Sequence, residues 1–500
     1  MPAATASVSS SSSLENRFDR AGLDAVIAAA DAAAWINDRR RQAFEAFESL
    51  ALPDRKSEHW MRTDLRLFKP AAWGLSAPPA TREVPVGLLA EAIASGEAAA
   101  ECFPEEACET GARDSGKEGQ AHFDGQKERV LGGKEGQAHF APQNEPVPGI
   151  AGRFATLDGH VVCDELDPAL AAKGVRFGAA EAVLGELGEA LEPHWFSVID
   201  SRCDWFAALH GAFHRGSAVL YVPPGVKLAE PLHVMSAISA GGVDTAHVLV
   251  VLGEGAEATL LTETAGGGPA GSAGGFHCGG TEIVVGRGAF LRMVNLQNWN
   301  TGVWHVARQK AVVQAGGRLQ WTLGALGSRL SQVAQDVALA GRDAEAQVNG
   351  VMFTEGRQHL VYNTLQHHEA PSCKSDLLYK GALQDRSRLV WRGMIKVDKN
   401  AQKTDGYQRN DNLMLSNESR ADSIPGLEIE ADDVRCTHGA TSGRVDAEQV
   451  FYAQARGLSA DEAARLVVAG FFQQVFDRIT IPEVREALAR AVCSRIRRIT

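Results

Sequence analysis

The sequence predicts a mainly β chain with helical ends, whose core is a β-solenoid. Three observations carry this. Short units pairing a turn residue with an alternating or apolar strand recur: GAEATLL from Gly255, GAFLRMV from Gly288, GRLQWTL from Gly317, DAEAQVN from Asp343 and DRSRLVW from Asp385. Their intervals of 33, 29, 26 and 42 residues fit an imperfect repeat in which each turn buries its face against its neighbours; propeller blades would be longer and more regular. Residues 14–51 read as helix, rich in Ala, Leu and Glu with no Gly or Pro after Gly22. After Gly457 the chain reads as two further helices.

In order, the chain divides into six segments. Residues 1–13, MPAATASVSSSSS, lack the charged and apolar parts of a signal peptide and read as a disordered tail. Residues 14–102 form an N-terminal helical domain, with Val26, Ile27, Ala30, Ala33 and Ala34 on one face and Pro53 as the stop. In it, LPDRKSEHWMRTDLRLF at 52–68 reads as a loop pinned by Trp60 and Leu65. Residues 103–148 are a low-complexity insertion in which GKEGQAHF occurs at 116–123 and again 17 residues later. So few apolar residues cannot offset the entropy of ordering, so His122 and His139 belong to a duplicated, mobile surface segment rather than a metal site.

Residues 149–214 are a connecting, mostly helical segment, and 215–454 the β-helix core. Residues 455–500 are a C-terminal helical domain. Its first helix opens with a capping box at Ser459 and Glu462 and carries Leu466, Val467, Phe471 and Val475 on its apolar face. The second opens at Pro482 and carries Val484, Leu488, Val492 and Ile496, with Arg495, Arg497 and Arg498 at the end where the helix dipole favours cations.

A formal charge of −12 argues against a general nucleic-acid binder, which needs a basic face to meet phosphates. No apolar run is long enough to span a bilayer. The eight cysteines are scattered, without CxxC or a disulfide-like framework, which places the chain in the cytoplasm with reduced thiols. The phosphate-loop spacing GxxxxGK[ST] is absent, so no ATP is expected on this chain.

The stretch with the most chemistry is 432–457, DDVRCTHGATSGRVDAEQVFYAQARG. Cys436 and His438 are two apart and share one face of a strand with Val434, while Arg435 and Thr437 take the other. A thiol and an imidazole on one face suit iron or zinc. Two ligands do not close a tetrahedral site, and a buried cysteine beside a hydrogen-bonded histidine gives the same spacing. A second cluster, His367, His368, Glu369 and Cys373, lies in LQHHEAPSCKSDLLYKG at 365–381. Adjacent histidines on a strand face opposite ways, which favours a polar turn or an internal histidine over a metal site. His277 and Cys278, in a Gly-rich run, read as loop residues.

From Cys436 onward, CTHGATSGRVDAEQVFYAQARGL resembles the C-terminal signature of the SufB/SufD family, the scaffold subunits of SUF iron–sulfur cluster assembly. KTDGYQRNDNLML at 403–415 is a second match, with Asp411 where SufB members carry their assembly cysteine. Gly439, in place of the Glu that follows the His in SufB members, favours the SufD side. The Leu-Pro segment at 52–68 is similar to the family's N-terminal signature, and the resemblance spans roughly 52–68 and most of 215–480.

The resemblance implies a right-handed parallel β-helix and an assembly scaffold rather than an enzyme. It implies a nascent, transient iron–sulfur cluster shared with a SufB-like paralogue at an interface through the β-helix, with His438 and Cys436 as metal ligands. His368 and Cys373 become candidates for a route carrying sulfur or iron. A SufC-like ATPase would dock on the C-terminal helices through Leu466, Phe471, Phe472 and Phe476, and a homodimer is the form implied for the isolated chain. Trimming after Gly457 is expected to abolish that docking and leave the solenoid folded. Two other readings stand: a purely structural partner of SufB without metal ligands, and a β-helix carbohydrate-active enzyme. The enzyme needs paired carboxylates or basic residues in a groove, and the adjacent Asp432 and Asp433 would face opposite ways.

Overall fold

A computed structural model describes residues 17–30, 32–81, 83, 87–89 and 149–496. The expected tail at 1–13 and both GKEGQAHF copies lie outside the described residues. The N-terminal run forms two helices where one was expected: α1 (Arg20–Ala29) and α2 (Ala34–Ser49). Propensity favours helix throughout, but Ala30 and Ala33 are extended. The break lets each helix turn its own stripe inward: Leu23 and Val26 on α1, and Ile36, Ala43 and Phe44 on α2. Packing outweighs propensity here.

The strand region begins upstream of residue 215. β1 (Gly152–Leu157) and β2 (His160–Leu166) pair antiparallel. They are followed by α3 (Pro168–Ala172), β3 (Arg176–Ala179), α4 (Ala180–Leu191) and α5 (Trp205–Phe213). Next come β4 (Ala218–Val222), β5 (Leu232–Ile238), β6 (Val243–Asp244), β7 (His247–Leu252), β8 (Glu257–Gly266) and β9 (Gly275–Val285). The regular turns continue through β10 (Phe290–Trp299), β11 (Val303–Val313), β12 (Arg318–Ala325), β13 (Leu330–Leu339), β14 (Glu345–Thr354) and β15 (His359–His368). The last rungs are β16 (Lys374–Leu383), β17 (Arg388–Val397), β18 (Thr404–Met414), β19 (Arg420–Ile429) and β20 (Val434–Arg444). The chain ends in α6 (Ala447–Ala455), α7 (Ala460–Phe476) and α8 (Pro482–Arg495), so the helical region starts earlier than residue 455. No helix among the described residues is long and apolar enough to cross a membrane.

Two ten-stranded sheets result, β2-β1-β5-β8-β10-β12-β14-β16-β18-β20 and β19-β17-β15-β13-β11-β9-β7-β4-β3, with β6 pairing β9 off the path of the second. One strand from each makes a turn, giving a β-solenoid of about eight turns. The corners explain the repeated turn residues. Gly255, Gly288, Asp343 and Asp385 hold φ of 66°, 62°, 59° and 57°, the left-handed region that glycine enters freely and aspartate tolerates. The first four expected units become β8, β10, β12 and β14 of one sheet. DRSRLVW becomes β17 of the other sheet, because the 42-residue interval steps over β16. Register is fixed by an outward column of alternating charge, Arg318, Glu345, Lys374, Asp405 and Arg435. A slip of one strand by one residue would put like faces out of step.

The lumen is filled by Leu, Val, Met and the large rings of Trp321, Tyr362, Tyr379 and Trp391. The outer face of the second sheet is covered by the N-terminal segments. There Trp60 is buried, stacks on Phe206 at 5.0 Å and donates its indole N–H to Asp204; Leu65 packs beside it. The outer face of the first sheet is covered by α7 and α8, whose Val468, Phe472, Phe476 and Leu488 meet Val294, Val351, Phe353 and Leu378. Trimming after Gly457 would therefore bare a continuous apolar sheet face.

Candidate functional site

The site is built on the last rung. β20 pairs with β18 along its whole length and, among the described residues, carries no strand on its other side, so its backbone edge is unpaired within the described sheet. Cys436 and His438 project from the same face, as the two-residue spacing predicts. Cys436 lies opposite Gly406 and His438 opposite Gln408. Gln408 is fully buried in the lumen, so both residues crown the open end of the solenoid on its inner side.

Cys436 is half-buried beside Ile395, Val397 and Ala401. Burial pushes its thiol up, with Asp405 adding to the shift, so the thiol keeps its proton until a cation displaces it. A side chain at Gly406 would begin 3.3 Å from the Cys436 sulfur; glycine is what lets the thiol lie over this strand. His438 is exposed and makes no side-chain hydrogen bond among the described residues. That contradicts the alternative of a buried, hydrogen-bonded structural histidine. No group of three or more His, Cys, Asp or Glu side chains among the described residues is placed to hold a metal ion.

On the outer face of the same rung Asp411 gains partners that sequence reasoning did not anticipate. Asp411 on β18 is buried, accepts a hydrogen bond from Thr441 on β20, and receives Arg409 at 2.9 Å and Lys380 of β16 at 3.6 Å. Lys380 in turn sits over the ring of Phe471 on α7, 4.7 Å from its centroid. Burial pulls the lysine down while Asp411 opposes the shift. A continuous contact chain therefore runs from α7 through Lys380 and Asp411 to Thr441, three residues beyond His438. The sequence signal was a single lysine inside the apolar run LLYKGAL, which demands a counter-charge when buried.

The second cluster divides as strand alternation requires. His367 faces outward to Glu369 at 3.1 Å and Asp398 at 2.9 Å. His368 is buried in the lumen with Nε2 2.8 Å from the Ser375 hydroxyl. Ser375 also accepts a hydrogen bond from Gln366 at 2.7 Å. Burial, with His367 second, pushes that imidazole down to about 4, and its Nδ1 has no partner. Ser375, Gly406 and Cys436 stand in one column, which puts Ser375 two strand spacings, about 10 Å, from Cys436. Cys373 is not brought to this column. It is buried in the preceding turn with its thiol on the Gly341 carbonyl at 3.1 Å.

His277 and Cys278 are strand residues of β9 rather than loop residues. The Gly-rich run misleads because its glycines make room for rings. A Cβ at Gly279 would fall 2.6 Å from His277 Nε2. Of the expected docking residues, Leu466 is exposed and Phe471 half-buried, whereas Phe472 and Phe476 are core residues under α7. The most exposed apolar side chains of the helical region are instead Phe451 and Tyr452 on α6, 72% and 61% exposed.

Comparison with known proteins identifies the class. Residues 234–471 match the SUF system FeS cluster assembly SufBD core domain, and residues 21–84 the SufBD protein N-terminal region. The chain is similar to the iron–sulfur cluster assembly SufBD family protein of Mycobacterium leprae, 31% identical over 58% of this chain and 74% of that one. It is likewise 28% identical to those of Staphylococcus epidermidis and Staphylococcus aureus, over 65% of this chain and 70% of theirs. The chain belongs to the SufBD family of iron–sulfur cluster assembly proteins.

Proposed function

We propose that this chain is the SufD-like subunit of a SufB–SufC–SufD scaffold, contributing half of a nascent-cluster site at its interface with SufB. The observation that carries this is the last rung. Cys436 and His438 stand on the open edge strand, beside an unpaired sheet edge, with too few ligands nearby to hold iron alone. An unpaired edge of this length is a template for another strand, and a SufB-like solenoid pairing there would bring the missing ligands. The imidazole of His438 is exposed and suits iron; the Cys436 thiolate suits both iron and persulfide sulfur. Asp411, where a SufB-like chain would hold its cysteine, is engaged by Lys380, Arg409 and Thr441 and so is spent on structure.

ATP hydrolysis belongs to a SufC-like partner, which docks on the C-terminal helices with Phe451, Tyr452 and Leu466 as the apolar contacts. Movement of α7 reaches β20 through Phe471, Lys380, Asp411 and Thr441, so nucleotide-driven motion alters the site without touching its ligands. The buried His368, one side of its ring unpartnered, is the lumen residue best placed for a sulfur or iron route toward Cys436.

The test is anaerobic reconstitution with iron and sulfide, of this chain alone and with its SufB-like and SufC-like partners. Little cluster is expected on the isolated chain. In the complex, His438→Ala should lower cluster yield sharply, because water fills an opened iron position poorly in a partly dry interface. Its stability should stay within about 0.5 kcal/mol of wild type, since the side chain is exposed and unpartnered. Cys436→Ser should act more mildly on yield. Full iron loading in both variants would overturn the ligand assignment and leave a purely structural partner.

A further inference from the structure

On the outer face of the second sheet, the strap at 55–66 leaves a basic strip beside an apolar notch. Five arginines there share two carboxylates. Arg55 and Arg66 reach Asp64 at 3.3 and 2.7 Å, and Arg62, Arg388 and Arg420 reach Asp422 at 3.8, 2.6 and 3.0 Å. The adjoining Glu58 and Glu418 are engaged by Arg392 and Arg386. With the corners at 355–358, 385–387 and 417–419 included, cations still outnumber carboxylates. The side chains of Arg55, Arg66 and Arg420 are more than half exposed, so their forks keep donors in water.

The notch, about 180 Å³, is lined by Val361, Val390 and Ile424, with Met61 and Arg62 supplied by the strap. Whole small molecules occupy about 300–1,000 Å³, so this is room for one large side chain. Asn363 lines it too. It is 8% exposed and its Nδ2 has no hydrogen-bond partner among the described residues; a buried donor of this kind calls for an acceptor. Strand pairing fixes the spacing. Arg388 lies opposite Arg420 and Arg392 opposite Ile424, with Val390 and Asp422 between. Val390 in the notch is therefore two residues, about 7 Å, from the arginine row. An extended peptide sets side chains of one face apart by the same step. The strip is short, since the outward residues of β19 run Arg420, Asp422, Ile424, Gly426 and Glu428. A long polyanion such as nucleic acid would meet Glu428.

We propose that this face docks a short acidic segment of a partner protein, extended, with one large apolar side chain in the notch. Carboxylates two residues away lie on the arginine row, where guanidinium forks suit them, and a main-chain carbonyl accepts from the Asn363 amide. Nothing in this assignment depends on the cluster ligands, which stand on β20 of the other sheet.

The experiment is fluorescence anisotropy of the full-length protein with the dye-tagged peptides EEDLDEE, EEDFDEE and EEDGDEE and with single-stranded oligothymidylate. Saturable binding of the Leu or Phe peptide at one per chain, weakened by salt, is expected. The Gly peptide should bind about tenfold more weakly or worse. Arg62→Gln with Arg420→Gln should weaken the Leu peptide about fivefold and flatten its salt dependence. Met61→Asp, at a position 50% exposed, should bring the Leu and Phe peptides down to the level of the Gly peptide. Both variants alter exposed side chains, so their melting temperatures should match wild type. No saturable binding of either anchored peptide, equal affinity for the Gly peptide, tighter binding of the oligonucleotide, or affinities unmoved in both variants would overturn the proposal.

Discussion

Asp411→Ala is the perturbation that most directly tests the contact chain between α7 and β20. The Lys380 and Asp411 side chains are 9% and 5% exposed, so the substitution leaves a lysine buried without its counter-charge. Breaking such a pair from one side costs about 3–5 kcal/mol, and the lost Thr441 hydrogen bond about 1 kcal/mol more. Two features pull the total back. Lys380 keeps the Phe471 ring, and its lowered affinity for protons lets it shed charge. The Arg409 pair, 39% exposed on the arginine side, adds little. A loss of about 3 kcal/mol follows. Lys380→Met keeps the aliphatic stem and leaves Asp411 with Arg409 and Thr441, so about 1–2 kcal/mol is expected. The double variant should cost about as much as Asp411→Ala alone, a coupling of about 1–2 kcal/mol, because a buried cation no longer stands unpaired. Urea unfolding of the four proteins measures this, and additivity within about 0.5 kcal/mol would refute the strut. In the reconstituted complex, Lys380→Met should also lower ATP-dependent cluster loading while both proposed ligands remain in place.

Acid should destabilise the fold early. Burial depresses His277 to about 3 and His359 and His368 to about 4, so below about 6.5 the unfolded chain takes up protons that the folded chain refuses. Stability is then lost as pH falls toward 4, by up to about 1.4 kcal/mol per unit for each histidine. Asp244, raised to about 7 by burial, opposes this between 3.8 and 7 but is one group against three. A melting temperature that rises between pH 6.5 and 5 would contradict the assignment. Phe451→Ser with Tyr452→Ser should weaken capture of the ATPase subunit and leave melting unchanged, since both rings are already in water; unaltered capture would move the docking face elsewhere. Deleting residues after Gly457 should yield an aggregating protein that binds an apolar fluorescent dye, and a monomeric, cooperatively melting product would show that the helices are dispensable to the first sheet.

What the sequence made legible follows the period of the solenoid. Two-residue spacing placed Cys436 with His438 and split His367 from His368, because strand faces depend only on parity. The repeat length placed β8, β10, β12 and β14, because corner residues must enter the left-handed region wherever the chain turns. The same period held one more clue: Lys380 and Asp411 are separated by 31 residues, about one turn, and so stack on neighbouring strands. A lysine in an apolar run with an aspartate one turn away is a pattern that the repeat length alone exposes.

What was not legible depends on chain that folds back with no period at all. Phe472 and Phe476 look like a docking face in a helix read by itself, and only the apolar outer positions of β10, β14 and β16 claim them for the interior. The glycines beside His277 look like a loop until the rings that need their missing Cβ atoms are in view. Arg40 and Arg215 are joined by no spacing rule. They line one cavity because α2 crosses the start of the solenoid, and each alone would pass for a surface arginine. Pairings of this kind concentrate where the terminal segments close over the sheets, which is why the shared face of β20 was legible from its own residues and these contacts were not.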